Sequence, residues 1–238
     1  MPTVRAILFD LNGTLLDETG HPEAIRSACA VIAEGRPGLD AAQLHSANAE
    51  VWRSYWPEVE DRWTLGLLDS KEVGKEAWRR TLRACGFNDE SLVQFARTTH
   101  HRFQREALRL FPDARELLDM LPPRISLALV TNGASDTQRE ALRVLGIEQR
   151  FAAVIVAGEV HVAKPDARAF GLAIDRLGVR PDQAWHIGDD LNRDVGGAKA
   201  AGLTAVWLNR HGLSRKGSDP RPDYEIRSLT EVAHLLPA

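Results

Sequence analysis

Residues 6–14 read Ala6-Ile7-Leu8-Phe9-Asp10-Leu11-Asn12-Gly13-Thr14. Four apolar residues in a row, without polar alternation, mark a strand covered by helices on both faces. Asp10 ends that strand, and Asn12-Gly13 turns the chain away. The run is too short for the core of a signal peptide, and no small-residue cleavage site follows it. A buried strand delivering a carboxylate to its carboxyl end is the expectation.

Similar runs recur at residues 125–130, 154–157, 184–187 and 204–208. Helical patterns separate them. Residues 114–121 carry Leu117, Leu118 and Leu121 on one stripe. Residues 138–145 stop at Gly146, 167–177 at Gly178 and 194–201 at Gly202, glycine being the favoured residue just past a helix end. Strand alternating with helix predicts an α/β fold, a doubly wound parallel sheet of Rossmann-like type. Residues 223–226 read as an edge strand, and Ser228-Leu229-Thr230-Glu231 has the spacing of a capping box opening a last short helix. Residues 210–221 read as an exposed loop.

One interval breaks the alternation. About 115 residues separate the first two strands, where a single strand–helix–strand unit takes about 30. The excess has almost no strand signal and holds helical patterns at 22–34, 41–56, 70–85 and 89–104. The predicted organisation is a catalytic core of residues 1–16 and 107–238 with an all-helical cap domain, 17–106, inserted after the first strand. Four of the six tryptophans (Trp52, Trp56, Trp63 and Trp78) fall in the insertion.

Composition narrows the function. A net charge of −3 and a pI near 6.2 leave no footprint for nucleic acid or an anionic membrane. No stretch approaches the roughly 18 apolar residues of a membrane span. Cys29 and Cys85 have neither zinc-ligand spacing nor a disulfide framework, so reduced thiols in a cytoplasmic protein are expected.

In an open α/β sheet, ligands bind beyond the carboxyl ends of the strands. The polar residues expected there are Asp10, Asn12 and Thr14, then Thr131-Asn132-Gly133, then Lys164-Pro165-Asp166, then Gly188-Asp189-Asp190 with Asp194. Each piece alone reads equally as turn or helix-cap chemistry. A carboxylate, a hydroxyl, an ammonium and an acidic cluster all at one sheet edge do not. Three clustered carboxylates also call for a cation.

These four motifs, in this order, resemble the haloacid dehalogenase-like hydrolase superfamily, and the run 188–202 (GDDLNRDVGGAKAAG) resembles its members with a helical cap after the first motif. The resemblance implies a phosphatase in which Asp10 is the nucleophile and forms an aspartyl-phosphate, splitting one hard hydrolysis into two displacements. It implies that Thr131 and Asn132 bind the phosphoryl group and that Lys164 neutralises Asp10 and the phosphate. It further implies that Asp10, Asp189 and the main-chain carbonyl of Asn12 hold Mg²⁺, with Asp190 or Asp194 serving directly or through water. The implied partner is a small-molecule phosphate ester, and the chain is expected as a monomer or homodimer.

Asn12 departs from that pattern. Phosphatases of the family carry an aspartate there, which protonates the leaving oxygen and later deprotonates the attacking water. An amide exchanges no proton near neutral pH. Three explanations stay open: a substituted aspartate, a natural member that uses another group or has lost turnover, or a reaction that needs no such acid. Alternatives to the phosphatase are therefore a phosphate-binding member without turnover and a carbon–halogen hydrolase. A phosphonate-cleaving relative would use a cap lysine, and Lys71 and Lys75 read instead as solvated helix charges.

For the substrate, Trp52, Arg53, Tyr55, Trp56 and Trp63 combine aromatic and basic groups fit for a sugar, base or carboxylate, against plain packing and a solvated face. Glu18 and His21 lie near one expected hinge (17–21), the other being 106–111. Glu159 is a candidate to hold Lys164 and His161 to approach the pocket, whereas His100, His101 and His186 have no ligand spacing.

Overall fold

The computed structural model describes residues 3–236. Its first strand, β1 (Ala6–Phe9), is buried along its whole length. The strand lies inside a six-stranded parallel sheet of order β5-β4-β1-β6-β7-β8. The others are β4 (Ser126–Thr131), β5 (Ala153–Val156), β6 (Ala184–Gly188), β7 (Thr204–Leu208) and β8 (Tyr224–Ile226). From β1 the chain builds outward through β4 and β5, then returns to the other side for β6, β7 and β8. The order of winding thus reverses at β1, the crevice in which open α/β sheets bind ligands.

The alternation within β1 assigns its side chains to two cores. Ile7 and Phe9 join Leu117, Leu129 and Leu142 on one face, where α5 (Pro112–Met120) and α6 (Ser135–Leu145) pack. Ala6 and Leu8 join Phe170, Ala173 and Ala198 on the other, covered by α8 (Ala167–Leu177) and α9 (Gly197–Ala200). Burial of each large side chain contributes about 1.5–3 kcal/mol. As read from the sequence, α6 and α8 end on Gly146 and Gly178 in left-handed conformation. A short helix, α7 (Ala157–Val160), follows β5, and α10 (Val232–Leu235) follows the Ser228 capping box.

The segment 194–201 differs from the expected single helix. A wide π turn spans Leu191–Gly196 and α9 follows. Asp190 starts the turn by accepting from the amides of Asn192 and Arg193, while the buried Asp194 carboxylate is drawn inward. Strand β4 also runs on to Thr131, so Thr131 belongs to the strand end.

Between β2 (Leu16–Asp17) and β3 (Arg109–Leu110) come α1 (His21–Ala33), α2 (Ala41–Thr64), α3 (Ser70–Ala84) and α4 (Glu90–Ala107). Asp40, Asp69 and Asp89 cap α2, α3 and α4, each accepting a backbone N–H. The sequence ended the second helix at Trp56, before Pro57, yet α2 continues to Thr64. Proline inside a helix costs about 3 kcal/mol. Here Val59 and Trp63, beyond Pro57, pack in one cluster with Tyr55 and Trp56 before it, and that burial offsets the cost. The ribbon β2–β3 is antiparallel and too short to show periodicity in sequence. No helix among the described residues is long and apolar enough to cross a membrane, and both cysteines are free thiols.

Candidate active site

The register of the sheet places the chemistry. Phe9 lies opposite Leu129 of β4 and Ile187 of β6, so Asp10 emerges level with the ends of both neighbours. Its amide donates to the Ile187 carbonyl at 3.0 Å, fixing the backbone from which the carboxylate projects. The loop after β6 supplies Asp189, and the π turn supplies Asp194. One oxygen each from Asp10, Asp189 and Asp194 lie within 4.8 Å of one another.

Lys164 comes from the loop after α7 and is as buried as the carboxylates it serves. Its Nζ donates to Asp10 Oδ1 at 2.5 Å and to Asp194 Oδ1 at 2.6 Å. The Thr14 hydroxyl sits 3.5 Å from both Asp10 Oδ2 and Asp189 Oδ1, at the outer limit of hydrogen bonding. Gly13 allows this crowding. It has φ +73°, and a Cβ there would lie 2.5 Å from Asp189 Oδ2.

The electrostatics follow from three carboxylates around one ammonium. Burial raises Asp10 above the usual carboxylate range, against the pull of Lys164, with Asp194 and Asp189 adding to the rise. Asp189 opens toward solvent but is flanked by protein, and this desolvation, with the Asp194 charge, lifts it to about 6. Burial would raise Asp194 as well, but Lys164 and His186 outweigh it and hold that carboxyl well below its usual range. Lys164 in turn, despite burial, is held above the usual lysine value by Asp10 and Asp194. One cation therefore satisfies Asp194 and leaves Asp10 and Asp189 under-neutralised. An oxygen-only donor set with surplus negative charge fits a hard divalent ion such as Mg²⁺.

The structure gives several residues duties that the sequence did not show. Asn132 holds Lys164 reciprocally: its Nδ2 donates to the Lys164 carbonyl at 2.9 Å, and its Oδ1 accepts the Lys164 amide at 2.8 Å. The Thr131 hydroxyl donates to Gln138 Oε1 at 3.0 Å. His186, buried in β6, donates from Nε2 to Asp194 Oδ1 at 2.9 Å. Its only sequence signal was a polar residue inside an apolar strand. Trp207 of β7 donates Nε1–H to the Asp189 carbonyl at 2.9 Å. Asn12 donates from Nδ2 to Glu18 Oε1 at 2.8 Å.

Other candidates fall elsewhere. The Asp190 carboxylate caps the π turn rather than joining the acidic group. Glu159 binds Ser135 and Arg139, not Lys164. Arg53 pairs with Glu50 on the exposed side of α2. His161 offers its Nδ1 to the Leu65 carbonyl, 2.8 Å away. Lys75 lies 3.7 Å from Glu90, at the surface.

The sheet reverses its winding at Asp10, and residues of the four sequence motifs meet there around one buried aspartate. The sequence pattern of the haloacid dehalogenase-like hydrolases matches residues 4–202, and the chain belongs to that family. It is 34% identical over 238 residues to a phosphoserine phosphatase of Thermus thermophilus, covering 98% of this chain and 92% of the relative. It is 31% identical to (S)-2-haloacid dehalogenase 1 of a Pseudomonas strain, covering 99% and 98% of the two chains. The solved HAD-hydrolase YfnB of Bacillus subtilis, bound to magnesium, superposes with a TM-score of 0.70 at 27% identity and full coverage of both chains.

Proposed function

We propose that this hydrolase is a magnesium-dependent phosphatase of a small phosphorylated metabolite, working through an aspartyl-phosphate on Asp10. The observation that carries the reading is Asp10 itself, buried at the switch point with Lys164 at 2.5 Å and Asp189 close by. Phosphoryl transfer is mainly positioning and charge neutralisation. Asp10 attacks phosphorus, the bond to the leaving oxygen breaks, and water later displaces Asp10 from the phosphoryl group. Lys164 offsets the repulsion between the incoming phosphate and Asp10. Thr131 and the backbone at Asn132 bind the phosphoryl oxygens, for which the Thr131 hydroxyl turns away from Gln138. Asp10, Asp189 and the Asn12 carbonyl hold Mg²⁺, with Asp194 directly or through water; the ion supplies charge neutralisation at the phosphoryl oxygens. Residues 17–106 act as the cap, hinged at the β2–β3 ribbon. Asn12 contributes a fixed amide and no proton.

Assay of a broad panel of phosphate esters with Mg²⁺, for this chain and for Asn12→Asp, tests the reading. Asn12→Asp is expected to gain turnover on alkyl esters. No gain on any ester sinks the phosphatase. A parallel prediction is that Asp10→Asn abolishes covalent labelling by an acyl phosphate, read by intact mass. A labelled Asp10→Asn would remove Asp10 as nucleophile. The second reading, a carbon–halogen hydrolase, is favoured by the missing acid at Asn12 and by the dehalogenase relative. Halide release from haloacids without metal would support it.

A further inference from the structure

Gln138, Ala141 and Leu142 form the buried face of α6. Ala141 and Leu142 belong to the core on one side of the sheet. A glutamine only 3% exposed therefore heads an otherwise apolar stripe. Buried polar residues are the informative exceptions in a core, and this one stands where α6 meets the carboxyl end of β4.

Both ends of its carboxamide are placed. Oε1 accepts the Thr131 hydroxyl at 3.0 Å, with both groups buried. The Asn132 carbonyl, at 3.4 Å, is the longer alternative for that proton. Nε2 lies over Gly133, where a Cβ would stand 2.7 Å from it and 3.0 Å from the Trp63 ring. Gly133 also has φ +132°, which glycine adopts readily. Gln138 lines the small cavity, of about 100 Å³, that Asn12 and His21 border.

A hydroxyl has one proton and two lone pairs, and a carboxamide has an accepting end and a donating end. While Thr131 gives its proton to Gln138, it has none for a phosphoryl oxygen. Once that proton turns to a phosphoryl group, Oε1 faces only another acceptor. A half-turn of the carboxamide about its last bond, a soft torsion, exchanges Oε1 and Nε2 without changing the shape of the side chain. Nε2 then donates to Thr131 Oγ1 and directs the hydroxyl proton toward the ligand.

We propose, building on the phosphatase reading, that Gln138 is a positioning residue for the phosphoryl group. It holds the Thr131 hydroxyl before the ligand arrives and, with its amide turned, aims that hydroxyl at a phosphoryl oxygen. A carboxylate at position 138 could only accept, so it would keep the Thr131 proton and repel the phosphate. An aliphatic side chain would leave the buried hydroxyl without its partner.

Calorimetric titration with inorganic phosphate in the presence of Mg²⁺ tests this without requiring turnover. It compares this chain with Gln138→Leu, Gln138→Glu, Thr131→Val and the double variant Gln138→Leu/Thr131→Val. Gln138→Leu is expected to weaken phosphate binding about tenfold, and Gln138→Glu to weaken it further. In the Thr131→Val background, Gln138→Leu should change the affinity by less than about twofold, because its partner is gone. In Asn12→Asp, kcat/KM for the best ester of the panel should fall in the same order. A purely structural role would lower the thermal midpoint and leave phosphate affinity unmoved. Gln138→Glu, close to glutamine in shape, keeps the test if Gln138→Leu does not fold. Phosphate affinity unchanged in the Gln138 variants overturns the proposal, and so does an equal loss with and without Thr131; the phosphatase stands in both cases. If this chain binds no phosphate and Asn12→Asp hydrolyses no ester, the phosphatase reading and the role of Gln138 fall together.

Discussion

Asn12 stands where the proposed phosphatase would need a proton donor, and its amide is engaged, since Nδ2 donates to Glu18 Oε1 at 2.8 Å. An aspartate in its place would put two carboxylates in contact, which must share a proton. A shared proton is what a leaving oxygen needs, and such assistance is worth roughly 10²–10⁴-fold. Asn12→Asp is therefore expected to raise alkyl phosphate turnover by about that factor, read as phosphate release. Gly13 carries a second residue-scale prediction. A methyl group at φ +73° costs about 1–2 kcal/mol and would collide with Asp189 Oδ2. Gly13→Ala should weaken magnesium binding well before it unfolds the chain. Calorimetric titration with Mg²⁺ measures this, and unchanged affinity would refute it. At this scale Asp10, Lys164 and Asp189 were legible because each follows a strand or loop with its own local pattern. The contacts of His186 and Trp207 were not, nor was the grip of Asn132 on Lys164, because each depends on a residue that the fold, not the local chain, brings alongside.

Elements show where local rules yield to packing. Pro57 carries a strong stop signal, and α2 passes through it because apolar residues on both sides share one cluster. The ribbon β2–β3 left no signal, having two residues per strand, yet it joins the chain entering and leaving the inserted helices. Across it Arg109 Nε donates to Asp17 Oδ2 at 2.8 Å. Burial would raise Asp17, but hydrogen bonds from Thr19 and Arg109 outweigh it and hold the carboxyl at about 2. A depressed acid contributes stability that is present above its unfolded value and is lost as pH falls toward 2. The Arg109 side chain is 56% exposed, so solvent screening keeps its share small. Arg109→Leu should cost about 0.2–1 kcal/mol in urea unfolding at neutral pH, with the difference from the parent fading on acidification. A difference that grows in acid would contradict the pairing.

For the whole molecule, the sheet gathers more negative charge at one point than Lys164 offsets. Asp10 and Asp189 titrate higher in the folded chain than in the unfolded one. At these two sites the folded chain holds more protons from the ordinary 3.8 upward through about 6, so their contribution to stability falls as pH rises across that window. Mg²⁺ binds the deprotonated carboxylates. Its stabilising effect should accordingly be larger at about pH 7.5 than at about pH 5, reaching about 2.7 kcal/mol when the ion is 100-fold above its Kd. Thermal unfolding at both pH values checks this, and an equal shift at both would reject the site. The inserted helices also meet the core through Arg193 and Glu60 at 2.8 Å and through the Ser70 hydroxyl and Asp136 at 2.7 Å.

The sequence by itself determined the six strands of the main sheet, the long helical insertion and the order in which polar residues leave the sheet, because apolar runs, helix caps and turns are set by neighbours in the chain. It also exposed the amide at Asn12 as a departure. Only the tertiary structure decided which oxygens Lys164 bridges, that His186 backs Asp194, and that Trp63 stands over Gly133. Lys164 and Asp10 are 154 residues apart, and no local rule sets a distance of 2.5 Å across that separation. Sheet register and the packing of both cores set it, and these arise only when the whole chain is folded.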